Sequence, residues 1–422
     1  MKINELIKFN PQTKLPKGKE LPFIEMAALP TDERDIPTYQ YRVSSGSGSK
    51  FQNGDTLLAR ITPCLENGKG GMVRNLPDDG IGHGSTEFIV MRALDQADEE
   101  FIYYVSRLPE FRTFAIQQMT GTSGRQRVSW QSITDFEIAD LSLAERENIG
   151  LTLSTLDDKI EQNRQMNETL EAMARTIFKD WFVDFGPTRA KAENLERYLV
   201  PELWDLFPNA LDGDGKPEYW SKRPLYDIAH YVNGAAYKNM HFSLDREGLP
   251  VIKIAELKAG ITANTKFTTS DLGEKYLIGT EDILFSWSGN PDTSIDTFIW
   301  DGGPAWLNQH IFRVRENGSA SRAFIYFQLK LLRSTFAEIA RNKQTTGLGH
   351  VTARDMKELM ICNPQGAIAK AFDELATPIL NRIVSNLLES RAIRGTRDLL
   401  LPKLMSGKIR LRDAEKAVEA VA

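Results

Sequence analysis

Phe101–Phe111 reads FIYYVSRLPEF, and Phe324–Ser334 reads FIYFQLKLLRS. The two stretches stand 223 residues apart, and the offset persists on both sides of them. Forward, Thr122 and Gly124 meet Thr345 and Gly347, Val128 meets Val351, and Ile138 meets Ile361. Further on, Ile160 and Asn163 meet Ile383 and Asn386 without a gap. Backward, STEFIVMR (Ser85–Arg92) meets NQHIFRVR (Asn308–Arg315). With a slip of a few residues, PFIEMAAL (Pro22–Leu29) meets PVIKIAEL (Pro250–Leu257), and GDTLLARI (Gly54–Ile61) meets EDILFSWS (Glu281–Ser288). An ordered series of this length is one module of about half the chain, present twice. The period is too long for a solenoid, and two copies in one chain imply a pseudo-two-fold arrangement like that of a homodimer.

Each copy begins with mixed structure. DTLLARI, STEFIVMRA, DILFSWS, SIDTFIW and HIFRVRE are β-branched and aromatic, are bounded by turn formers, and read as strands. EEFIYYVSRLPEFRTFAIQQM reads as helix, with Pro109 as a kink or the first turn of a second helix. Its counterpart SRAFIYFQLKLLRSTFAEIARN has no proline and is expected to run on.

Each copy ends in a long helix. Leu153, Leu156, Ile160, Asn163, Asn167, Leu170, Ala174, Ile177 and Trp181 alternate steps of three and four, a heptad seam. The second copy repeats it with Ala376, Ile379, Ile383, Asn386, Ser390, Ile393, Arg397, Leu400 and Leu404. For one such helix, capping its own domain is the simpler reading. Two helices with the same seam and an Asn at the same internal position point instead to pairing with each other, the Asn fixing register. Pseudo-symmetry makes that pairing antiparallel. The seam from Leu153 to Trp181 spans about 42 Å at ~1.5 Å per residue, comparable to a DNA turn of ~34 Å. The expected fold is therefore α+β: two tandem mixed α/β domains separated by two long helices that form an antiparallel coiled coil. The boundaries are a first mixed domain at 1–145, a helical spacer at 146–198 and a connector at 199–225. A second mixed domain at 226–366, a second spacer at 367–412 and a tail at 413–422 follow.

Composition narrows the function. A net charge of −5 gives no support to bulk non-specific nucleic-acid binding, although it permits a local basic face. Two distant cysteines, Cys64 and Cys362, suggest no disulfide framework, and the reading is a reducing cytoplasm. The five histidines show no metal-ligand spacing. No apolar run is long enough to cross a bilayer, and the N-terminus lacks a secretory h-region. ENGKGGMV lacks the spacing of a phosphate loop, VDFG at Val183 stands without other kinase motifs, and no GxSxG elbow is present. VDFG reads as a helix end with Gly186 and Pro187 as terminators.

The candidate binding residues are in loops. TGTSGRQRVSW from Thr120 sets Thr122, Ser123, Arg125, Gln126 and Arg127 on a glycine turn. Arg reads guanine and Gln reads adenine through paired hydrogen bonds in the major groove. The competing reading is an ordinary solvated basic turn. The second copy keeps the frame with Lys343, Gln344, Thr345, Thr346 and His350. A second loop offers Arg60, Asn67 and Lys69, matched by Ser286, Trp287, Ser288 and Asn290. The helix-pairing candidates are Leu156, Ile160, Asn163, Leu170 and Ile177 against Ile379, Ile383, Asn386, Ile393 and Leu400.

Four segments, LLARITPCLENGK, STEFIVMRA, LDDKIEQNRQMNETLEAMARTIFKDWFVDF and RDLLLPKLMSGKI, resemble the specificity subunit of type I restriction–modification systems. The resemblance covers nearly the whole chain. It implies two target recognition domains, each reading one half of a bipartite double-stranded DNA sequence. It also implies paired helices that set the half-site spacing and dock adenine methyltransferase subunits, two in number, with motor and nuclease subunits joining them. Catalysis is not expected of the chain itself. S-adenosylmethionine, ATP and magnesium belong to the partners. The runner-up reading is a pseudo-symmetric coiled-coil scaffold that binds proteins without reading DNA.

Overall fold

A computed structural model describes residues 1–16, 18–77, 80–122, 124–344, 348–364 and 366–409. Ser123, Thr345, Thr346, the end of the second spacer (410–412) and the tail 413–422 lie outside the described residues. The first copy contains β1 (Ile7–Phe9), β2 (Glu20–Ile24), β3 (Gln40–Val43), β4 (Ser49–Gln52), β5 (Thr56–Ala59), β6 (Gly70–Met72), β7 (Ile81–Gly84) and β8 (Phe88–Ala93). Helices α1 (Glu99–Arg107), α2 (Pro109–Gln117), α3 (Trp130–Ile133) and the long α4 (Leu143–Phe182) follow. After α5 (Gly186–Ala192) and α6 (Pro201–Trp204), the second copy opens with β9 (Lys222–Pro224), β10 (Ala229–Asn233) and β11 (Leu249–Ile252). Next come α7 (Ile254–Ala259), β12 (Phe267–Thr268), β13 (Leu277–Ile278), β14 (Ile283–Ser286), β15 (Ser288–Gly289), β16 (Asp296–Ile299), β17 (Ala305–Leu307) and β18 (Ile311–Glu316). The chain continues through α8 (Arg322–Leu331), α9 (Arg333–Asn342), β19 (Gly349–His350), α10 (Ala353–Glu358), β20 (Met360–Cys362) and the long α11 (Ala367–Met405).

The duplication is visible in the strand orders. The first copy has one sheet in the order β1-β8-β5-β6 and one in the order β3-β2-β7-β4. The second copy has β10-β18-β14-β16 and β12-β11-β17-β13, the same two orders. The single parallel neighbours also match: β2 with β7, and β11 with β17.

Two compact units emerge, and neither is one copy alone. Unit 1 comprises residues 1–162 and 389–422, and unit 2 comprises residues 163–388. Each therefore holds half of α4 and half of α11. In unit 1, strand alternation splits the core. Leu58, Ile89 and Met91 face α1 and the helix pair, packing in one cluster with Leu153, Leu156, Ile160, Ile393, Leu400 and Leu404. Leu57, Ala59, Phe88 and Val90 face the other way, toward Ile24 and Phe51. Helix α1 is buried at six successive residues, Phe101–Ser106, and its charges are confined to its ends, at Glu99, Glu100 and Arg107. In unit 2, Phe285, Phe312, Val314 and Phe324 pack with Ala174, Phe178, Trp181, Phe182, Phe372 and Ile383.

The helix pair is antiparallel within each unit. In unit 1 the Lys159 ammonium lies 3.3 Å from Glu389 and the Arg397 guanidinium 2.5 Å from Asp157. In unit 2 the Asn386 amide donates to Asn167 Oδ1 at 2.8 Å, and Asn167 Nδ2 donates to the Ile383 carbonyl at 3.3 Å. Asn163 and Asn386 are both buried. Of the pairing residues, Leu156, Ile160, Ile393 and Leu400 are buried in unit 1 and Ile383 in unit 2, whereas Leu170, Ile177 and Ile379 are half-buried in unit 2. Helix α4 starts at a capping box: Glu145 N–H donates to Ser142 Oγ, and Ser142 N–H donates to Glu145 Oε2.

Three local features differ from the sequence reading. The helix that lacks a proline also breaks, between Leu331 and Arg333, because α9 turns to bury Phe336 and Ala340. Packing overrides local propensity there. At the end of α4 the left-handed residue is Phe185, not Gly186, and Gly186 and Pro187 start α5. A side chain at Gly186 would collide with Asp180 and the Tyr198 hydroxyl. Lastly, the segment read as a connector ends in β9, which pairs antiparallel with β20.

The aromatic cluster of unit 2 concentrates its packing on Phe178, whose ring lies 4.8 Å from Phe324, 5.0 Å from Phe182 and 5.3 Å from Phe372. Phe178→Ala is expected to lower stability by about 3–5 kcal/mol in urea unfolding of the full chain. Exposed Met173→Ala on the same helix is expected to stay within about 0.5 kcal/mol.

Candidate nucleic-acid interface

In unit 1 the two candidate loops form one surface. β5 runs out into residues 60–69, and that segment is zipped to the loop after α2. Thr62 N–H and Thr62 Oγ1 both donate to the Gln126 carbonyl at 3.0 Å, and Gln126 N–H donates back to Thr62 Oγ1 at 3.0 Å. Val128 N–H reaches the Arg60 carbonyl at 2.9 Å, and Thr120 and Arg127 exchange two backbone bonds of 2.9 Å. Beyond the cis Thr62–Pro63 peptide, a tight turn closes with Asn67 N–H on the Pro63 carbonyl and Lys69 N–H on the Cys64 carbonyl. Gly68 is left-handed in this turn, with φ of +72°, a conformation open to glycine.

The cations on this surface divide into committed and uncommitted. Arg127 grips Glu87 with three bonds of 2.7 to 2.9 Å, and this carboxylate raises its pKa. The Lys69 ammonium donates to the Met26 carbonyl at 2.9 Å. Arg107 braces the turn through the Gly68 carbonyl at 2.8 Å. By contrast, Arg125 is exposed and its guanidinium has no partner among the described residues. Arg60 is half-buried, and its Nε is likewise unpartnered among them. Half-buried Arg112, beside Gly68, has its pKa lowered by burial and by the neighbouring Arg107 charge. Thr122 and Asn67 are exposed, and Gln126 is half-exposed. An uncommitted guanidinium offers a rigid fork of donors that matches a phosphate or the O6 and N7 of guanine.

Unit 2 builds the same platform from different side chains. β14 leads through Trp287 into β15, which pairs with β19 in the register Ser288↔His350 and Gly289↔Gly349. Val351 N–H donates to the Trp287 carbonyl at 2.8 Å, matching the bond from Val128 to Arg60. Ser286 is fully buried in the sheet and so stands behind this surface rather than on it. The Trp287 indole donates to Asn233 Oδ1 at 2.9 Å and packs 5.4 Å from His310, whose pKa burial lowers. Asn290 Oδ1 caps a turn, accepting from Asp292 N–H at 3.0 Å and Thr293 N–H at 3.2 Å. Lys343 is held by Asp355. Ser288 is half-buried, while Gln344 and His350 are exposed and their side chains have no hydrogen-bond partner among the described residues. They are the uncommitted polar groups on this side.

Sequence reading missed Thr62, Glu87, Asn233, Asp355 and Arg112. None carried a local signal: at the 223-residue offset His310 stands opposite Glu87, but most positions of STEFIVMR and NQHIFRVR differ as well. Among the described residues no cluster of three or more His, Cys, Asp or Glu could hold a metal ion. No helix among them is long and apolar enough to cross a membrane.

Residues 217–389 match the family model described as type I restriction modification DNA specificity domain. The chain is 24% identical over 323 residues to the type I restriction enzyme MjaIX specificity subunit of Methanocaldococcus jannaschii, covering 76% of this chain and 71% of that one. It is 23% identical over 412 residues to the HindI specificity subunit of Haemophilus influenzae, covering 85% and 87%. It is 28% identical over 342 residues to the EcoAI specificity subunit of Escherichia coli, covering 64% and 57%. A crystal structure of a type I restriction–modification S subunit from M. genitalium aligns over 96% of this chain and 95% of that one, with TM-score 0.46 and 14% identity.

The Thr62 hydroxyl makes two of the bonds that join the loops of unit 1. Thr62→Val keeps its shape and removes both. Faster amide exchange at Gln126 is expected, with a stability loss of about 1–2 kcal/mol in urea unfolding.

Proposed function

The chain belongs to the specificity subunits of type I restriction–modification systems, and from that premise we propose how it reads its target. It is a DNA-recognition subunit of a restriction–modification complex and carries out no chemistry itself. Each unit presents its two-loop platform to one half of a bipartite double-stranded sequence. The paired helices set the number of base pairs between the halves and dock two adenine methyltransferase subunits. Motor and nuclease subunits join that assembly. S-adenosylmethionine, ATP and magnesium are bound by those partners, and the complex works in the cytoplasm.

One observation carries the reading. The same platform stands on the same strand order in both units, yet its uncommitted groups differ: Arg60 and Arg125 in unit 1, Gln344 and His350 in unit 2. A scaffold that contacts only proteins has no need of a repeated frame with exchanged hydrogen-bonding groups. Two readers of different half-sites do. In unit 1 the committed cations Arg127, Lys69 and Arg107 hold the loops, leaving Arg60 and Arg125 for bases and phosphates.

Mapping N6-methyladenine in DNA from cells that express the chain with its methyltransferase is expected to give a bipartite motif. A single continuous motif would count against two separate readers. Arg60→Ala and Arg125→Ala are each expected to weaken binding of the cognate duplex by about 1–3 kcal/mol, with the methyltransferase complex intact. Unchanged affinity in both would remove them as readers. Seven residues inserted into α4, matched by seven in α11, add about 10 Å of helix. The gap between half-sites is then expected to widen by about three base pairs at ~3.4 Å each, and an unchanged gap would rule out the spacer role.

A further inference from the structure

Equivalent positions of the two units carry opposite chemistry at one place in the helix pair. In unit 1 the Tyr104 hydroxyl donates to Asp157 Oδ2 at 2.5 Å, and Arg397 Nη1 donates to Asp157 Oδ1 at 2.5 Å. Arg397 also reaches Asp32 Oδ1 at 3.3 Å and Asp398 at 2.9 Å. Asp157 is 6% exposed, Arg397 6% and Tyr104 1%. Counterparts at the 223-residue offset are Phe327 for Tyr104, Leu380 for Asp157 and Ala174 for Arg397. Phe327, Leu380 and Ala174 are buried in one apolar cluster of unit 2. A hydrogen-bonded, charged trio in one unit is thus an all-apolar trio in the other.

We propose that this asymmetry is a pairing code: it lets α4 pair with α11 and bars either helix from pairing with the same helix of a second copy of this chain. The register supplies the reason. Asn163 lies against Asn386, its own counterpart, with Asn163 Nδ2 on the Asn386 carbonyl at 3.5 Å. Two α4 helices meeting in that register would set Asp157 against Ala174 of the partner subunit, twice. Two α11 helices would set Arg397 against Leu380 of the partner subunit, twice. The first arrangement buries two carboxylates with no counter-charge, and the second buries two guanidiniums that lose Asp157 and keep only the exposed Asp398 of their own helix. Breaking a buried ion pair in this way is strongly unfavourable, whereas an apolar replacement of the whole group is tolerated. Both seams share their apolar positions and the Asn; the trio is the place where a buried charge in one seam faces an apolar residue in the other, while Asn167 against Ser390 is a further, uncharged difference. The code is needed because a duplicated module retains the self-complementarity of a homodimer.

The test makes the two units alike in two opposite ways, in the full chain. One variant carries Tyr104→Phe, Asp157→Leu and Arg397→Ala, which puts the apolar trio in both units. The other carries Phe327→Tyr, Leu380→Asp and Ala174→Arg, which puts the charged trio in both. Two differently tagged copies of each chain are unfolded together, refolded and recovered by one tag. Co-recovery of the second tag is expected to rise by at least about tenfold over the unsubstituted chain, given the penalty for a lone buried charge. A folded variant of either kind that co-recovers no more than the unsubstituted chain overturns the proposal. Failure of both variants to fold also overturns it, because the two positions would then not be equivalent.

Discussion

The structure depends on covering one amphipathic seam. A helix of 40 residues such as α4 cannot bury its apolar stripe alone, and helices within proteins gain most of their stability from what they pack against. The chain meets this need by lending. Helix α4 spends its second half in the core of unit 2, where Phe178 and Trp181 lie among Phe324 and Phe372. Helix α11 spends its second half in the core of unit 1, where Ile393 and Leu400 join Phe101 and Leu153. Neither copy of the module completes a core from its own residues.

Polar groups within this pair select among apolar arrangements that would otherwise be nearly equivalent. The Asn163, Asn167 and Asn386 amides bond to one another and to backbone carbonyls inside unit 2, which ties the register to one alignment. In unit 1 burial alone would lower the Arg397 pKa, yet the facing Asp157, with Asp398 and Asp32, raises it. Burial and the Asp157 charge together push the Tyr104 pKa well up, so its hydroxyl stays protonated and donates. Such groups add little net stability compared with an apolar core and contribute mainly to which partner is accepted.

The binding surface follows the opposite principle. Its frame is retained and its contacts have diverged. The zipper between the strand exit and the loop after the second short helix recurs as Arg60 with Val128 and as Trp287 with Val351. On that frame Trp287 stands where Arg60 stands, and His310 where Glu87 stands. Ion pairs such as Arg127–Glu87 are half-exposed, so their value lies in aiming the loop more than in stability. Arg60 and Arg125 in unit 1 and Gln344 and His350 in unit 2, whose side chains have no partner among the described residues, then sit on a shared scaffold.

The duplication, the main strands, the heptad seams and the matched Asn pair were legible in residue order alone. These are carried by periodicity and by a constant offset, which are properties of residues taken in order. Tertiary structure decided the rest. Leu332 interrupts a helix with no proline because Phe336 must reach the core, and Phe185 takes the left-handed position while Gly186 is held to glycine by its close approach to Asp180. Of the basic residues legible in the loops, only folding separates Arg127, clamped by Glu87 forty positions away, from Arg125, which is unclamped. Thr62 and Gln126 are 64 residues apart in the chain and bonded in space. Which side chains are bound and which are free depends on such long-range contacts, and no local pattern in the sequence records them.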